Sequence, residues 1–191
     1  MILLIEGMDR CGKSTLIANL RKHYFTNPKL IVHHASAPPK GVEDSNAWEV
    51  EHYTETADTF HHLSAKEGYD VICDRFHLGA IVYGMRYRGL NPYTIYTVDA
   101  LRVAKGQEKK VALVLLTDHA HAIMAREDGN SIETTYKEYD QTRQEFTRVF
   151  GYSRVPHKLH INITDNGGFL KTYSTVTEFL DNVRGENAKS L

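Results

Sequence analysis

Apolar positions along the 191-residue chain fall into two patterns. Short, nearly unbroken apolar runs occur at MILLIEG (1–7), LIVHH (30–34), DVICDR (70–75), VALVLL (111–116) and KLHINI (158–163). Runs of this length predict strands, and the unbroken ones predict strands covered on both faces. Between them the apolar residues recur at helical spacing. Leu16, Ile17 and Leu20 mark a helix over 13–24, with Pro28 as its stop. Residues 46–66 contain no breaker, 77–88 and 93–105 flank the turn Gly89-Leu90-Asn91-Pro92, and 118–126, 132–150 and 172–184 complete the helical segments. Pro38, Pro39 and Gly41 mark a loop. Alternation of strand and helix predicts the α/β class, a five-stranded, mostly parallel sheet with helices on both faces.

Composition narrows the class without naming a function. The chain is 41% hydrophobic and 25% charged, ordinary for one soluble domain, which we place at 1–185, followed by a flexible tail at 186–191. A formal net charge of −1 argues against a strongly basic nucleic-acid binder but leaves a local basic cleft open. Two cysteines do not make a disulfide framework and fit a reducing, cytoplasmic setting. Met1–Ile5 is too short and lacks the basic start of a signal sequence, and no apolar stretch approaches the ~20 residues of a membrane span.

Gly7–Ser14, GMDRCGKS, matches the Walker A pattern of a glycine, four residues, then Gly-Lys-Ser. At background residue frequencies the pattern arises in about one chain of this length per hundred. Here it also has the required setting, with an apolar strand before it and an amphipathic helix after it. Gly7 and Gly12 let the backbone turn its amides inward, and Met8, Asp9, Arg10 and Cys11 supply further amides of an anion cradle at a helix N-terminus. Lys13 is suited to the β- and γ-phosphates, and Ser14, followed by Thr15, to Mg²⁺. Arg10 lies within the loop, where it can meet charge that develops on a transferring phosphoryl group. Cys11, beside Lys13 and near a helix N-terminus, is expected to have a lowered pKa and to be sensitive to alkylation.

A second motif, DRFHLGAIVYG at 74–84, follows a strand, so Asp74 and Arg75 stand at the carboxyl end of a sheet, where open α/β folds bind ligands. With EGMDRCGKST (6–15) and DRFHLGAIVYG in hand, the chain resembles the thymidylate kinase family, and the order of strands and helices agrees over nearly its whole length. The resemblance implies a three-layer P-loop kinase fold with a phosphate loop at 7–15, an acceptor region at 34–66 and a short lid at about 126–136. It implies ATP and Mg²⁺ as cofactors, a small nucleotide acceptor and a homodimer built on helix faces. It further implies that Arg75 bridges the acceptor phosphate and the donor γ-phosphate. Asp74 then orients the acceptor or a Mg²⁺-bound water, Asp9 approaches the acceptor sugar, and Arg126 flanks the donor nucleotide at the lid hinge. Arg10 fits the design in which the phosphate loop carries the catalytic arginine, because the candidate lid holds few basic residues. Arg143 is within reach of phosphates on the helix that follows, whereas Arg148 is expected at the surface. The turn Thr164–Gly168 corresponds to the loop that lies along the adenine.

The acceptor region departs from the family pattern. HHASAPPK stands where the family carries a Phe-Pro-Arg-like segment, with Lys40 as a substitute point charge. Between Lys40 and Arg75 there is no arginine to read thymine. Trp48 or Tyr53 is available to stack on a base, His52 or Glu49 to hydrogen-bond its edge, and Phe76 and Tyr83 to line the pocket. The expected reaction is transfer of the ATP γ-phosphoryl group to a deoxynucleoside monophosphate, dTMP or a related, 5-modified pyrimidine. The alternatives are a kinase of deoxynucleosides or of a 5-hydroxymethylpyrimidine within DNA, and a non-catalytic nucleotide switch. The histidine pairs lack the spacing of a zinc site.

Overall fold

The computed structural model of the chain describes residues 1–103, 111–126 and 132–188. Five strands, β1 (Ile2–Gly7), β2 (Leu30–His34), β3 (Asp70–Asp74), β4 (Val111–Thr117) and β5 (His157–Asn162), form one all-parallel sheet in the order β2-β3-β1-β4-β5. β1 and β4 are buried at every position, as their unbroken apolar sequences require, and β2 and β5 lie at the edges, partly exposed. This explains why KLHINI alternates while VALVLL does not.

The helices are α1 (Lys13–His23), α2 (Ser45–Lys66), α3 (His77–Tyr87), α4 (Pro92–Val98), α5 (Ala120–Met124), α6 (Tyr136–Tyr152) and α7 (Phe169–Ala188). Their starts follow capping chemistry. The Asp44 side chain accepts from the Ala47 amide ahead of α2, and Asn91 accepts from Tyr93 with Pro92 at the first position of α4. Thr135 and Glu138 form a reciprocal capping box, which starts α6 four residues later than the apolar spacing predicts.

Two further expectations need correction. The helix expected over 93–105 is not uniform, because α4 passes into a π-helical turn at Asp99–Val103; residues 104 and 105 lie outside the described residues. Asp99 accounts for the turn. It is buried and accepts from the Ser153 hydroxyl (2.7 Å) and the Arg154 amide (2.6 Å) while holding His77 (2.6 Å), so α4, α6 and the start of α3 are tied at one carboxylate. The last helix, expected over 172–184, is longer at both ends, since α7 runs from Phe169 to Ala188; 189–191 lie outside the described residues. Lid residues 127–131 lie outside them as well.

The strand order places β1 at the topological switch point. From β1 the chain runs to β2 and returns through β3 on one side, then crosses to β4 on the other. The carboxyl ends of β1 and β3 are adjacent, Ile5 pairing with Asp74, so the two sequence motifs converge there. Among the described residues no helix is long and apolar enough to cross a membrane.

Candidate active site

The loop after β1 takes the shape its glycines permit. Gly7 has φ +140°, and a Cβ there would stand 2.0 Å from the Leu116 carbonyl oxygen of β4, so only glycine fits. Arg10 and Gly12 are both left-handed, with φ of +59° and +64°. The Lys13 ammonium lies inside the loop and donates to the Met8 carbonyl at 2.5 Å. Burial, with help from the Arg75 charge, pushes its pKa down to about 8. The expectation of a reactive Cys11 is overturned: its thiol is fully buried, and burial pushes its pKa up to about 12 despite the neighbouring Lys13. Asp9 accepts an ion pair from Arg75. Ser14 and Thr15 are exposed on the first turn of α1.

Arg75 is held in a left-handed conformation, φ +63°, unusual for a residue with a side chain. A residue not singled out from sequence accounts for this. Glu6, fully buried at the end of β1, accepts from the amides of Phe76 (3.0 Å), Leu78 (2.9 Å) and Gly79 (3.1 Å). The Arg75 amide itself donates to Ile5 (2.9 Å). The end of β1 therefore grips the first turn of α3 and presents the Arg75 guanidinium to Asp9 and to the Tyr83 ring, 5.2 Å away. Burial raises the Glu6 pKa, and His77 and the amides oppose it. A sequence signal existed: a carboxylate closing an apolar strand must find donors.

Asp74 sits beside Arg75, with one oxygen 3.3 Å from His34 Nδ1 and the other, Oδ1, buried without a hydrogen-bond partner among the described residues. That free oxygen and the exposed Ser14 hydroxyl are the donor set a Mg²⁺ would need, hard oxygens beside a phosphate cradle, and they fit the ion.

Arg10 turns toward α6 and donates to the Tyr139 hydroxyl at 2.9 Å. Arg126 lies against the loop. It donates to the Arg10 carbonyl (3.1 Å) and to Asp118 (2.6 Å), and its guanidinium stands 5.3 Å from the Phe169 ring centre. Asp118, another residue missed in sequence, is buried; burial favours its neutral form, but bonds from Thr164, Arg126 and His119 outweigh this and lower its pKa. The turn 164–168 and Phe169 thus gather beside Arg126. Arg143 bonds instead to Asp140 (2.6 Å), and Arg148 pairs with Glu145 at the surface.

A cleft of about 140 Å³ opens next to Arg75, lined by Ala35, Ser36, Ala37, Tyr53, Phe76, Gly79, Ala80, Tyr83, Arg88 and Ile132. Three aromatics singled out from sequence, Tyr53, Phe76 and Tyr83, are in its wall. Lys40, Trp48 and His52 are not. The inward stripe of α2 is Glu49, Tyr53, Ala57 and Phe60, and Trp48 and His52 lie one position round the helix, stacked on each other at 4.5 Å. Lys40 is exposed on the loop before α2. Arg88, one residue past α3, is also in the cleft wall.

No family model matches the sequence, and no curated protein matches it. Solved structures do. The YorR protein of Bacillus subtilis, solved in complex with phosphorylated GDP, superposes with a TM-score of 0.70 at 20% identity, over 97% of this chain and 98% of its own. Thymidylate kinase from Ehrlichia chaffeensis gives 0.60 at 15% identity, over 96% and 97%. Thymidylate kinase from Candida albicans gives 0.51 at 20%, over 98% and 92%. The fold is therefore that of a thymidylate kinase-like P-loop kinase, and it extends over essentially the whole chain.

Proposed function

We propose that the protein is an ATP- and Mg²⁺-dependent kinase that moves the γ-phosphoryl group of ATP to a deoxynucleoside monophosphate, with dTMP or a 5-modified pyrimidine deoxynucleotide as the first candidate. The observation that carries this reading is the convergence of the Lys13 loop, the Asp9–Arg75 pair and an aromatic-walled cleft at the switch point of the sheet. Its likeness in fold to two thymidylate kinases and to the YorR protein, solved with phosphorylated GDP, supports a nucleotide as ligand and brings guanine into the panel to be tested.

In this reading an acceptor phosphate oxygen attacks the γ-phosphorus in line, and the bond to the bridging oxygen of ADP breaks. Lys13 and the loop amides hold the donor phosphates. Arg75 exchanges Asp9 for the two phosphates it brings together, and Arg10 leaves Tyr139 to meet the transferring group. Ser14 and Asp74 would hold Mg²⁺, which when bound neutralises charge on the phosphate oxygens. Arg126 and Phe169 flank the donor base. A homodimer through helix faces and a cytoplasmic setting belong to the same reading; light scattering tests the former.

One observation favours a second acceptor class. A phosphate acceptor is already ionised, whereas a hydroxyl acceptor must lose a proton, and the Asp74 carboxylate, with its Oδ2 3.3 Å from the exposed His34, offers a base with a path to solvent. Deoxynucleosides and 5-hydroxymethylpyrimidine DNA therefore belong in the assay. The experiment is transfer from labelled ATP to a panel of monophosphates, nucleosides and such DNA. Label on a monophosphate supports the first reading, and label only on hydroxyl acceptors the second. Nucleotide binding with no transfer to any of them would make the protein a switch.

A further inference from the structure

The short helix α4 turns rings outward where a surface helix ordinarily turns charges. Its sequence, PYTIYTV, contains no charged residue. Ile95 and Val98 are buried against the core, and Tyr93, Tyr96 and Thr97 follow the helical spacing of the opposite face. Facing them, α6 presents Arg148 and Tyr152, four residues apart on one side, and Arg154 follows just past its end.

Between the two helices runs a groove of about 750 Å³, with Tyr93, Tyr96, Tyr152, Leu101, Arg148 and Arg154 in its wall. It is open: Tyr93 is 77% and Tyr152 61% exposed. Tyr96 and Tyr152 meet edge to face at 5.9 Å, which sets the tilt of the outer ring.

The charge of the groove has one sign. Both charged side chains of its described wall are guanidiniums. Arg148 rests on Glu145 at 2.6 Å, an exposed pair of little strength that a phosphate can replace. The Arg154 amide is fixed to Asp99 at 2.6 Å, while its exposed side chain has no ion pair or hydrogen bond among the described residues. Asp99 itself is buried, its oxygens occupied by His77, Ser153 and that amide, so it does not face the groove. On the other side of α4 a separate groove has Asp44, Glu51 and Glu55 in its wall and no cation. The helix therefore divides an acidic surface from a cationic, aromatic one.

Rings and guanidiniums without a carboxylate match a nucleic-acid strand whose bases are unpaired. Every base has a π-face that stacks on tyrosine, and its phosphates take charge-assisted hydrogen bonds from arginine. A duplex hides those faces. A free nucleotide is held in a pocket that buries most of it, and a protein partner needs an apolar core to its interface. Neither fits an open groove in which Leu101 is the one large aliphatic side chain of the described wall. A chain of net charge −1 is no obstacle, because the cations concerned are local.

We propose that the groove between α4 and α6 binds single-stranded nucleic acid, with bases stacked on Tyr93 and Tyr152 and backbone phosphates on Arg148 and Arg154. The groove shares no wall residue with the cleft beside Arg75, and its occupancy does not depend on phosphoryl transfer. The test is fluorescence anisotropy of a labelled oligodeoxythymidylate of about 12 nucleotides, within the site sizes of strand-binding grooves, titrated with the intact protein over a range of salt. Binding is expected to be saturable, and the logarithm of the association constant to fall against that of salt with a slope of about −1.4, from two phosphates at about 0.7 each. Arg154→Gln brings the slope to about −0.7. Tyr93→Ala weakens binding about fivefold or more, the effect of one lost base stack, and Tyr93→Phe, which keeps the ring, restores it. The same oligonucleotide in a duplex binds more weakly than the single strand.

No binding of the single strand at about 50 mM salt, where such contacts are strong, would overturn the inference. So would equal affinity for the duplex, because stacking would then play no part. Displacement by dTMP at the same total nucleotide concentration would make the groove a site for free nucleotides instead. Unchanged affinity in both Tyr93→Ala and Arg154→Gln would place the strand elsewhere on the protein. A fall in mass by light scattering in Tyr93→Ala, with no oligonucleotide bound by the natural protein, would make the occupant a second copy of the chain. If Tyr93→Ala fails to fold by thermal melting, Arg154→Gln and Tyr152→Ala decide.

Discussion

Burial holds Lys13 down to about 8, against an ordinary value of 10.5, and the sign of this effect has consequences for binding. At neutral pH the buried ammonium is still charged, and its burial costs stability. As pH rises from about 8 toward 10.5 the native protein has released this proton while the unfolded chain keeps it, so Lys13 makes stability rise across that window. A nucleotide phosphate in the loop supplies the missing counter-charge and raises the lysine pKa again. Binding must then take up a proton in the same window. We expect calorimetry at pH 8.5, in two buffers of different ionisation enthalpy, to show proton uptake on binding an ATP analogue. Lys13→Arg should show none, and neither protein should show Lys13-linked uptake at pH 6.5. Pure buffer independence at pH 8.5 in the natural protein would mean that Lys13 does not meet the phosphates. Arg10 is a different case, because its guanidinium now rests on the Tyr139 hydroxyl and must leave it to act. Arg10→Ala is expected to lower kcat by about 10²-fold or more, the cost of one transition-state donor, with little change in KM for ATP. An unchanged kcat would reduce Arg10 to a tie between the loop and α6.

Two elements meet at Glu6, and the catalytic geometry depends on their joint. The amides at the start of α3 have no intrahelical acceptors, and Glu6 satisfies three amides, from Phe76, Leu78 and Gly79, while Ile5 takes that of Arg75. Glu6→Gln keeps an oxygen for two of these and turns an amide group on Gly79, donor against donor. We expect a loss of stability of about 1–3 kcal/mol, the cost of a buried polar group left unpaired. We also expect a fall in kcat larger than any change in ATP affinity, because the Arg75 turn relaxes while the Lys13 loop does not. A variant that melts and turns over like the natural protein would remove Glu6 from the positioning of Arg75. The joint also shows what sequence reasoning can reach at this scale. The helix at 77–88 follows from its apolar spacing, and Asp74–Arg75 at a strand end follows from DVICDR. That Glu6 spans from one element to the other depends on β1 and β3 being neighbours, which no local pattern encodes. The place of Arg88 in the cleft wall is hidden for a related reason: it lies outside the acceptor segment in sequence, and only the packing of the end of α3 on α2 brings it there.

Across the whole molecule, the order β2-β3-β1-β4-β5 turns two separate motifs into one site, because it sets the ends of β1 and β3 side by side with β4 behind them. The class of fold and the phosphate loop were legible because strand–helix alternation and the Gly-Lys-Ser spacing are local. The wall of the cleft was not, since Trp48 and His52 look as suitable as Tyr53 until the phase of α2 is known. The same architecture makes nucleotide binding a whole-chain event. A ligand seated in the loop is gripped by residues from β1, α1, β3 and the Arg126 turn, all packed on one core, so it binds the folded chain and not the unfolded one. At an ATP analogue concentration of 100 times Kd the stabilisation is about 2.7 kcal/mol. For a domain of this size that corresponds to a rise in Tm of roughly 5–10 °C. Lys13→Ala should keep a Tm within a few degrees of the natural protein without nucleotide, since it removes a cation that burial penalises, and should show almost no rise when the analogue is added. Thermal melts of both proteins, with and without the analogue, check this. A rise in Lys13→Ala as large as in the natural protein would place the nucleotide somewhere other than the loop.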